Sequence, residues 1–176
     1  MKLTPVMEKF ILHWGEMGTR WGINRTVAQI QALLYLSPTP LHAETISTTL
    51  SVASSNVSNS LRELQNWGLI KVVHVLGDRR DHFESLEDVW DIYRIVLDER
   101  KKRELDPTLA VLRECMSELE NRGSGDAYTK GRVEEMARFV EGIDSWYEEF
   151  RSLPKEIVLK LMKLGNRVQK LLARTG

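Results

Sequence analysis

The sequence is poor in the features that mark several large classes of protein. Cys115 is the only cysteine, which excludes an internal disulfide and a structural metal site built from several thiolates. No apolar run approaches the length needed to cross a bilayer, so no membrane partner is expected. The first residues lack the apolar core and small-residue cleavage site of a secretory signal, and we therefore expect a cytoplasmic protein.

Motifs for catalysis and for cofactor binding are missing as well. The sequence contains no phosphate-binding glycine loop, no cluster of metal ligands and no pairing of a nucleophile with a base. We therefore predict a protein that is not an enzyme and that has neither a cofactor nor a metal site.

The charges sum to zero but are unevenly distributed. Residues 1–86 are nearly neutral, residues 87–153 have a net charge of −6, and residues 154–176 have a net charge of +5. The basic last segment is interpreted as a solvated helix face. Any attraction of the first segment to nucleic acid must therefore come from a local group of cations.

Short helices are predicted in the first third of the chain. The apolar spacing predicts a helix over 4–17, and the glycines between residues 15 and 22 are expected to loosen the chain after it. Asn24 is the predicted N-cap of a second helix that ends at Leu36.

A helix-turn-helix is predicted next. A short helix over 43–50 and a tight turn at Ser51-Val52 lead into a longer helix over 53–67. Gly68 is the natural residue to end that helix, since glycine adopts the left-handed conformation without steric cost.

A two-stranded ribbon follows the second of these helices. β-Branched residues over 69–76 predict a strand, Gly77-Asp78 a turn, and residues 79–84 the returning strand. Residues 85–88 have the spacing of a capping box that opens another helix. Helix, turn, helix and ribbon in this order define the winged helix-turn-helix.

The rest of the chain is predicted to be helical and to form a dimer. Asp106-Pro107 is a helix start signal, and the run 123–125 (Gly-Ser-Gly) is a break. Apolar residues over 105–119, 133–150 and 157–171 recur at spacings of three and four, which favours helical partners within the chain or in a second subunit. We predict a mainly α fold with a small β-wing: a winged helix-turn-helix DNA-binding domain over 1–86 and a helical dimerisation region over 87–176.

The helix over 53–67 has the two faces that a DNA-reading helix needs. Val57, Leu61 and Leu64 are predicted to face inward. Its polar run is poor in helix formers, which suggests that the polar groups are needed there. Asparagine pairs with adenine and serine with either partner. The predicted DNA-binding residues are Ser54, Ser55, Asn56, Ser58, Asn59 and Arg62; the alternative is a solvated helix without a ligand.

The wing contributes two further predicted DNA contacts. Arg79 and Arg80 are expected to lie on phosphate or in the minor groove, where a narrow groove concentrates negative potential. The alternative is a charged hairpin tip in which Arg80 pairs with Asp78 or Asp81.

From about residue 16 to residue 90 the chain resembles the GbsR branch of the MarR-like (multiple antibiotic resistance) regulators. The similarity is carried jointly by five stretches, residues 18–25, 34–38, 55–61, 64–69 and 77–84. It implies a homodimeric repressor that binds a pseudo-palindromic operator in double-stranded DNA, in a branch associated with choline sensing. It also implies a wing in which Asp and Arg brace each other. Two positions depart from the pattern: Ser54 stands where Arg is common, and His42 where a Ser or Thr cap is usual.

An effector site is predicted from aromatic residues. Trp14, Trp21, Trp90 and Tyr93 are candidates to bind a choline-like small molecule, because aromatic faces attract quaternary ammonium groups. Packing between helices is the alternative. Cys115 is interpreted as a buried, inert thiol, with a redox switch as the alternative. His74 and His82 are interpreted as an ordinary pair across the hairpin, with a weak metal site as the alternative.

Two classes of function therefore remain. The first is a DNA-binding transcriptional regulator tuned by an effector, favoured by Arg62, Arg79 and Arg80. The second is a winged-helix module that binds protein and no DNA, favoured by the near-neutral charge of residues 1–86.

Overall fold

The first two helices begin at the residues that the sequence supplies as caps. The computed structural model describes residues 1–122 and 127–172. Helix α1 (Pro5–Arg20) is capped by Thr4, whose hydroxyl accepts a hydrogen bond from the amide of Met7 at 3.3 Å. Helix α2 (Arg25–Leu36) is capped by Asn24, as predicted.

The glycines of the first helix serve packing rather than a break. Gly15 and Gly18 lie within α1 and are buried, so the expectation that they loosen the chain was wrong. A Cβ on Gly18 would lie 2.5 Å from the Cβ of Ala28, so the close approach of α1 and α2 requires a glycine there. Gly22, with φ of +75°, makes the turn between the two helices.

The helix-turn-helix agrees with its predicted bounds. Helix α3 (Ala43–Leu50) ends at Ser51, which has a left-handed conformation, and helix α4 (Ser54–Trp67) ends at Gly68, with φ of +78°. His42 fills the cap position of α3, because its Nδ1 accepts a hydrogen bond from the amide of Thr45 at 3.3 Å.

The wing is a three-stranded antiparallel sheet with shorter strands than predicted. Strands β2 (Ile70–Val73) and β3 (His82–Ser85) form the hairpin, and β1 (Leu41–His42), which was not predicted, pairs with the other edge of β3. The strand β1 was missed because two residues are too short to show an alternating pattern.

The predicted capping box at 85–88 was wrong. Ser85 is buried in β3, where its hydroxyl accepts a hydrogen bond from Gln31 at 3.0 Å. Helix α5 (Val89–Arg100) is instead capped by Asp88, whose carboxylate accepts from the amide of Trp90 at 2.7 Å.

One hydrophobic core holds these elements together. Its largest fully buried side chains come from α2, α3 and α4 and are Ile30, Leu33, Ile46, Val57 and Leu64. The packing divides the chain into two compact units, Met1–Val96 and Leu97–Gly176, and this core lies in the first.

The second unit is helical throughout its described residues. After α5 come a π-helical segment (Lys101–Leu105), α6 (Asp106–Arg122), α7 (Ala127–Ser152) and α8 (Lys155–Leu172). Pro107 does not open a separate helix as predicted: helical structure is continuous from α5 into α6. The π-helical segment precedes the proline, whose missing N–H and bulky ring disturb the ordinary hydrogen-bond ladder. The predicted break at 123–125 and the side chains of Val168 and Leu171 lie outside the described residues.

Polar contacts within the second unit join residues 98–106 to α7. Asp98 accepts hydrogen bonds from Tyr147 and from Arg151, the latter at 2.8 Å and 3.0 Å, and these partners hold its pKa below the ordinary value although desolvation opposes this. Lys101 lies 2.7 Å from Asp106 and 3.0 Å from Asp144.

Replacing Gly18 with alanine should destabilise the first unit by about 1–3 kcal/mol, because the new methyl group overlaps that of Ala28 and neither can move away without shifting a helix. Chemical denaturation monitored by tryptophan fluorescence measures the change. Gly142→Ala in α7 is the control: its Cβ meets nothing within 4 Å, so it should stabilise α7 by about 0.5–1 kcal/mol. Equal stability of the Gly18 variant and the unmodified chain would contradict the close-packing argument.

Candidate nucleic-acid interface

Helix α4 presents a polar face to solvent because its apolar face is buried. Val57, Leu61 and Leu64 are buried, as predicted, and so is Ser60, which the sequence did not assign to the core. The residues predicted to contact DNA are all exposed: Ser54, Ser55, Asn56, Ser58, Asn59 and Arg62.

Most of these polar groups are available to a ligand. Ser58 donates a hydrogen bond to the carbonyl of Ser54 at 3.0 Å. Within the described part of the chain, the side chains of Asn59 and Arg62 have no hydrogen-bond or ion-pair partner. Ala53, the N-cap residue, offers no side-chain acceptor to the first amides of α4, which leaves them open to an anion.

The wing is stiffened by an ion pair in the loop between β2 and β3. Arg80 donates to both carboxylate oxygens of Asp78, from Nε at 2.9 Å and from Nη2 at 2.6 Å, and its backbone amide donates to the same carboxylate at 3.0 Å. Its Nη1 also lies 3.4 Å from Glu44 of α3. These contacts fix the wing to the helix-turn-helix, with Asp78 rather than Asp81 as the partner of Arg80.

The hydrogen bonds from Arg80 shift the pKa of a carboxyl group in the wing. They hold the pKa of the Asp78 carboxyl well below its usual range, and Asp78 in turn raises the pKa of Arg80. Arg79 is exposed and has no such partner among the described residues, so it is the cation of the wing that is free to meet a phosphate.

A pair of histidines joins β1 to β3 within the wing. His82 is buried; its Nδ1 donates to the carbonyl of Arg80 at 2.9 Å and its ring packs edge-on against His42, with centroids 5.4 Å apart. The predicted pairing of His82 with His74 was wrong, because Val73 stands opposite His82 in the strand register. The described residues contain no group of three or more potential metal ligands.

Residues 21–81, about a third of the chain, match the model of the MarR family. This matched segment is called the MarR domain. That family is a class of DNA-binding transcriptional regulators and not of enzymes, which agrees with the expectation from the sequence. The matched residues run from α2 through α4 to the wing, so the MarR domain contains every predicted DNA-binding residue.

Among the solved structures that match, one with a TM-score above 0.5 shares this fold. A transcriptional regulator matches with a TM-score of 0.63 and 19% identity, over 84% of this chain and 96% of that chain. A MepR–DNA complex from Staphylococcus aureus matches with a TM-score of 0.37 and 20% identity, over 77% and 97% of the two chains. A transcriptional regulator from Thermotoga maritima gives 0.39 and 16%, over 85% and 94%. No curated protein matches the sequence.

The residues predicted to bind an effector form two ring pairs. Trp14 lies edge-on to Trp21, the first residue of the MarR domain, at 6.0 Å, and Trp90 lies edge-on to Tyr93 at 6.2 Å, after that domain. Trp14 also stacks on Phe10 at 5.3 Å, so part of its surface is used in packing.

No helix among the described residues is long and apolar enough to span a membrane.

Removing the Arg80 side chain should raise the pKa of Asp78 toward its ordinary value, because the side-chain hydrogen bonds of Arg80 are the main cause of the depression. A depressed carboxyl pKa stabilises the fold above the unfolded-state pKa and loses this effect as the pH falls through the folded-state value. The Arg80→Ala variant should therefore have a weaker acid dependence of stability. Carboxyl ¹³C NMR titration of Asp78 measures the shift. Arg79→Ala is the control and should leave it unchanged; an unaltered Asp78 titration in Arg80→Ala would refute the assignment.

Proposed function

We propose that this protein is a transcriptional repressor that binds a pseudo-palindromic operator in double-stranded DNA as a homodimer. The observation that supports it is the exposed polar face of α4, held outward by the buried residues Val57, Leu61 and Leu64 beside a braced wing. A helix of this kind enters the major groove and reads base edges with its first turns, and the wing contacts the adjacent backbone or minor groove.

The near-neutral charge of the first unit limits its general electrostatic attraction to DNA. The cations available to phosphate are local: Arg62 on α4 and Arg79 on the wing, together with the open amides of the first turn of α4. Arg80 is engaged by Asp78 and Glu44, and its proposed role is to hold the wing in position against the DNA.

An exposed apolar stripe on α7 supports the homodimer. Ala137 and Val140 are buried, whereas Phe139 and Trp146 are 65% and 62% exposed, together with Met136 and Ile143 at spacings of three and four. Exposed apolar residues in heptad register favour a helical partner. The proposed mode of binding requires a second copy, because it needs two recognition helices about 34 Å apart, one turn of DNA.

Assignment to the GbsR-type branch, with a choline-like effector, rests on the sequence stretches that resemble it. Supporting the effector site are the perpendicular rings of Trp14 and Trp21, both more than a third exposed, which leave aromatic faces open to a quaternary ammonium group.

Selection of bound sequences from a pool of random duplex DNA tests the proposal. The purified full chain should enrich one palindromic motif, and repeating the selection with choline present should reduce recovery. Failure to retain any duplex would overturn the proposed function and favour the alternative, a winged-helix module that binds protein.

Asn59→Ala should weaken binding to the selected motif by about 1–3 kcal/mol and relax one base position, because a bidentate contact to a base edge is lost. Asn66→Ala is the matched control, since Asn66 is also exposed and lies seven residues further along the same face of α4. It should leave the motif unchanged. An identical motif and affinity in the Asn59 variant would exclude Asn59 as a reader of sequence.

Phe139→Glu should dissociate the dimer, because it places a charge within the apolar stripe of α7. Light scattering at micromolar concentration should give the mass of a dimer for the unmodified chain and of a monomer for the variant. Ser145→Glu adds the same charge at an exposed position off the stripe and should remain dimeric. A monomeric unmodified chain would rule out the homodimer.

A further inference from the structure

The tip of the wing is a tight turn with an apolar residue at its corner. The amide of Asp78 donates to the carbonyl of Val75 at 3.0 Å, which closes a four-residue turn. Gly77, at the third position, has φ of +87°, the sign required there in a type II turn. Leu76 is therefore the second residue of the turn, three residues after the end of β2.

This corner exposes apolar surface that does not stabilise the fold. Leu76 is 104% exposed and Val75 is 41% exposed. Proline, glycine, asparagine, aspartate and serine are the residues that favour turns, because each suits the backbone or bonds to it. Leucine offers neither advantage, so its side chain at this position contributes nothing to the isolated fold.

The tip is also held in a fixed place. The contacts of Arg80 with Asp78 and with Glu44 of α3 begin within two residues of the turn, and His82 packs on His42 beneath them. A rigid tip can present one side chain to a ligand with little loss of conformational entropy on binding.

We propose that Leu76 is a shape-reading residue that enters the minor groove beside the major groove occupied by α4. This inference rests on the proposed function. Apolar side chains such as leucine insert into the minor groove and partly unstack a base step, most easily at the flexible pyrimidine–purine steps. Arg79, exposed on the same tip and without a partner among the described residues, then meets the phosphates that flank the groove. Leu76 thus determines which flanking sequences are tolerated, at positions that receive no hydrogen bond.

Two variants separate an apolar contact from a charged one. Leu76→Ala should weaken binding to the duplex selected by the unmodified chain by about tenfold, in proportion to the apolar surface removed. The dependence of affinity on salt should stay the same, because no phosphate contact is lost. Arg79→Ala should instead reduce the salt slope by about 0.9. Leu12→Ala, at an exposed position of α1, is the control for loss of an exposed leucine and should change neither quantity.

A fluorescent base reports the insertion directly. With 2-aminopurine in the base steps that flank the selected core, the unmodified chain should raise fluorescence by unstacking one step, and Leu76→Ala should not. If the unmodified chain binds DNA and the Leu76→Ala variant binds it equally well, this inference alone is overturned. The exposed tip is then left to a protein partner. The absence of any duplex binding by the unmodified chain would overturn the proposed function with it.

Discussion

Burial of one face of α4 is the constraint on which the rest of the first unit depends. Val57 and Leu64 pack into a core with Leu33 of α2 and Ile46 of α3, and this contact sets the rotation of α4 about its axis. A rotation by one residue would bury unpaired hydroxyl or amide groups, which costs more than it gains. The polar run that begins at Ser54 is a weak helix former, so the helix itself depends on this packing. Hydrophobic contacts therefore determine which polar side chains of α4 face the solvent.

Local signals were sufficient to predict the helices of the MarR domain. The bounds of α3 were predicted to the residue, and α4 begins one residue later than predicted, because caps and a C-terminal glycine act within a few residues of the backbone they satisfy. The apolar spacing also predicted the buried face of α4, since three positions on one stripe suffice to orient a helix.

What the sequence could not provide is the pairing between distant residues. Strand β1 exists because Leu41 and His42 meet Phe83 and His82 across the sheet, and no pattern within two residues announces it. In the sequence Ser85 resembles a helix cap. In the structure its hydroxyl accepts a hydrogen bond from Gln31, and Asp88 caps the helix instead. The same holds for the wing, where proximity in sequence left Asp78 and Asp81 equivalent as partners of Arg80 and only the folded hairpin distinguishes them.

The ion pairs of Arg80 bear on how the proposed DNA-binding surface can belong to a nearly neutral domain. An arginine held by two carboxylates contributes little net charge to the surface but fixes the geometry of the hairpin, because its planar fork bonds both oxygens of Asp78 at once. In the proposed complex, phosphate attraction then falls to cations such as Arg62 and Arg79, which have no partner among the described residues, and sequence discrimination to polar and apolar contacts that need no charge. Weak electrostatic attraction lowers binding to all DNA alike, whereas a positioned side chain lowers or raises binding to particular sequences. A surface of this composition therefore favours discrimination between specific and non-specific DNA sites over affinity for DNA in general.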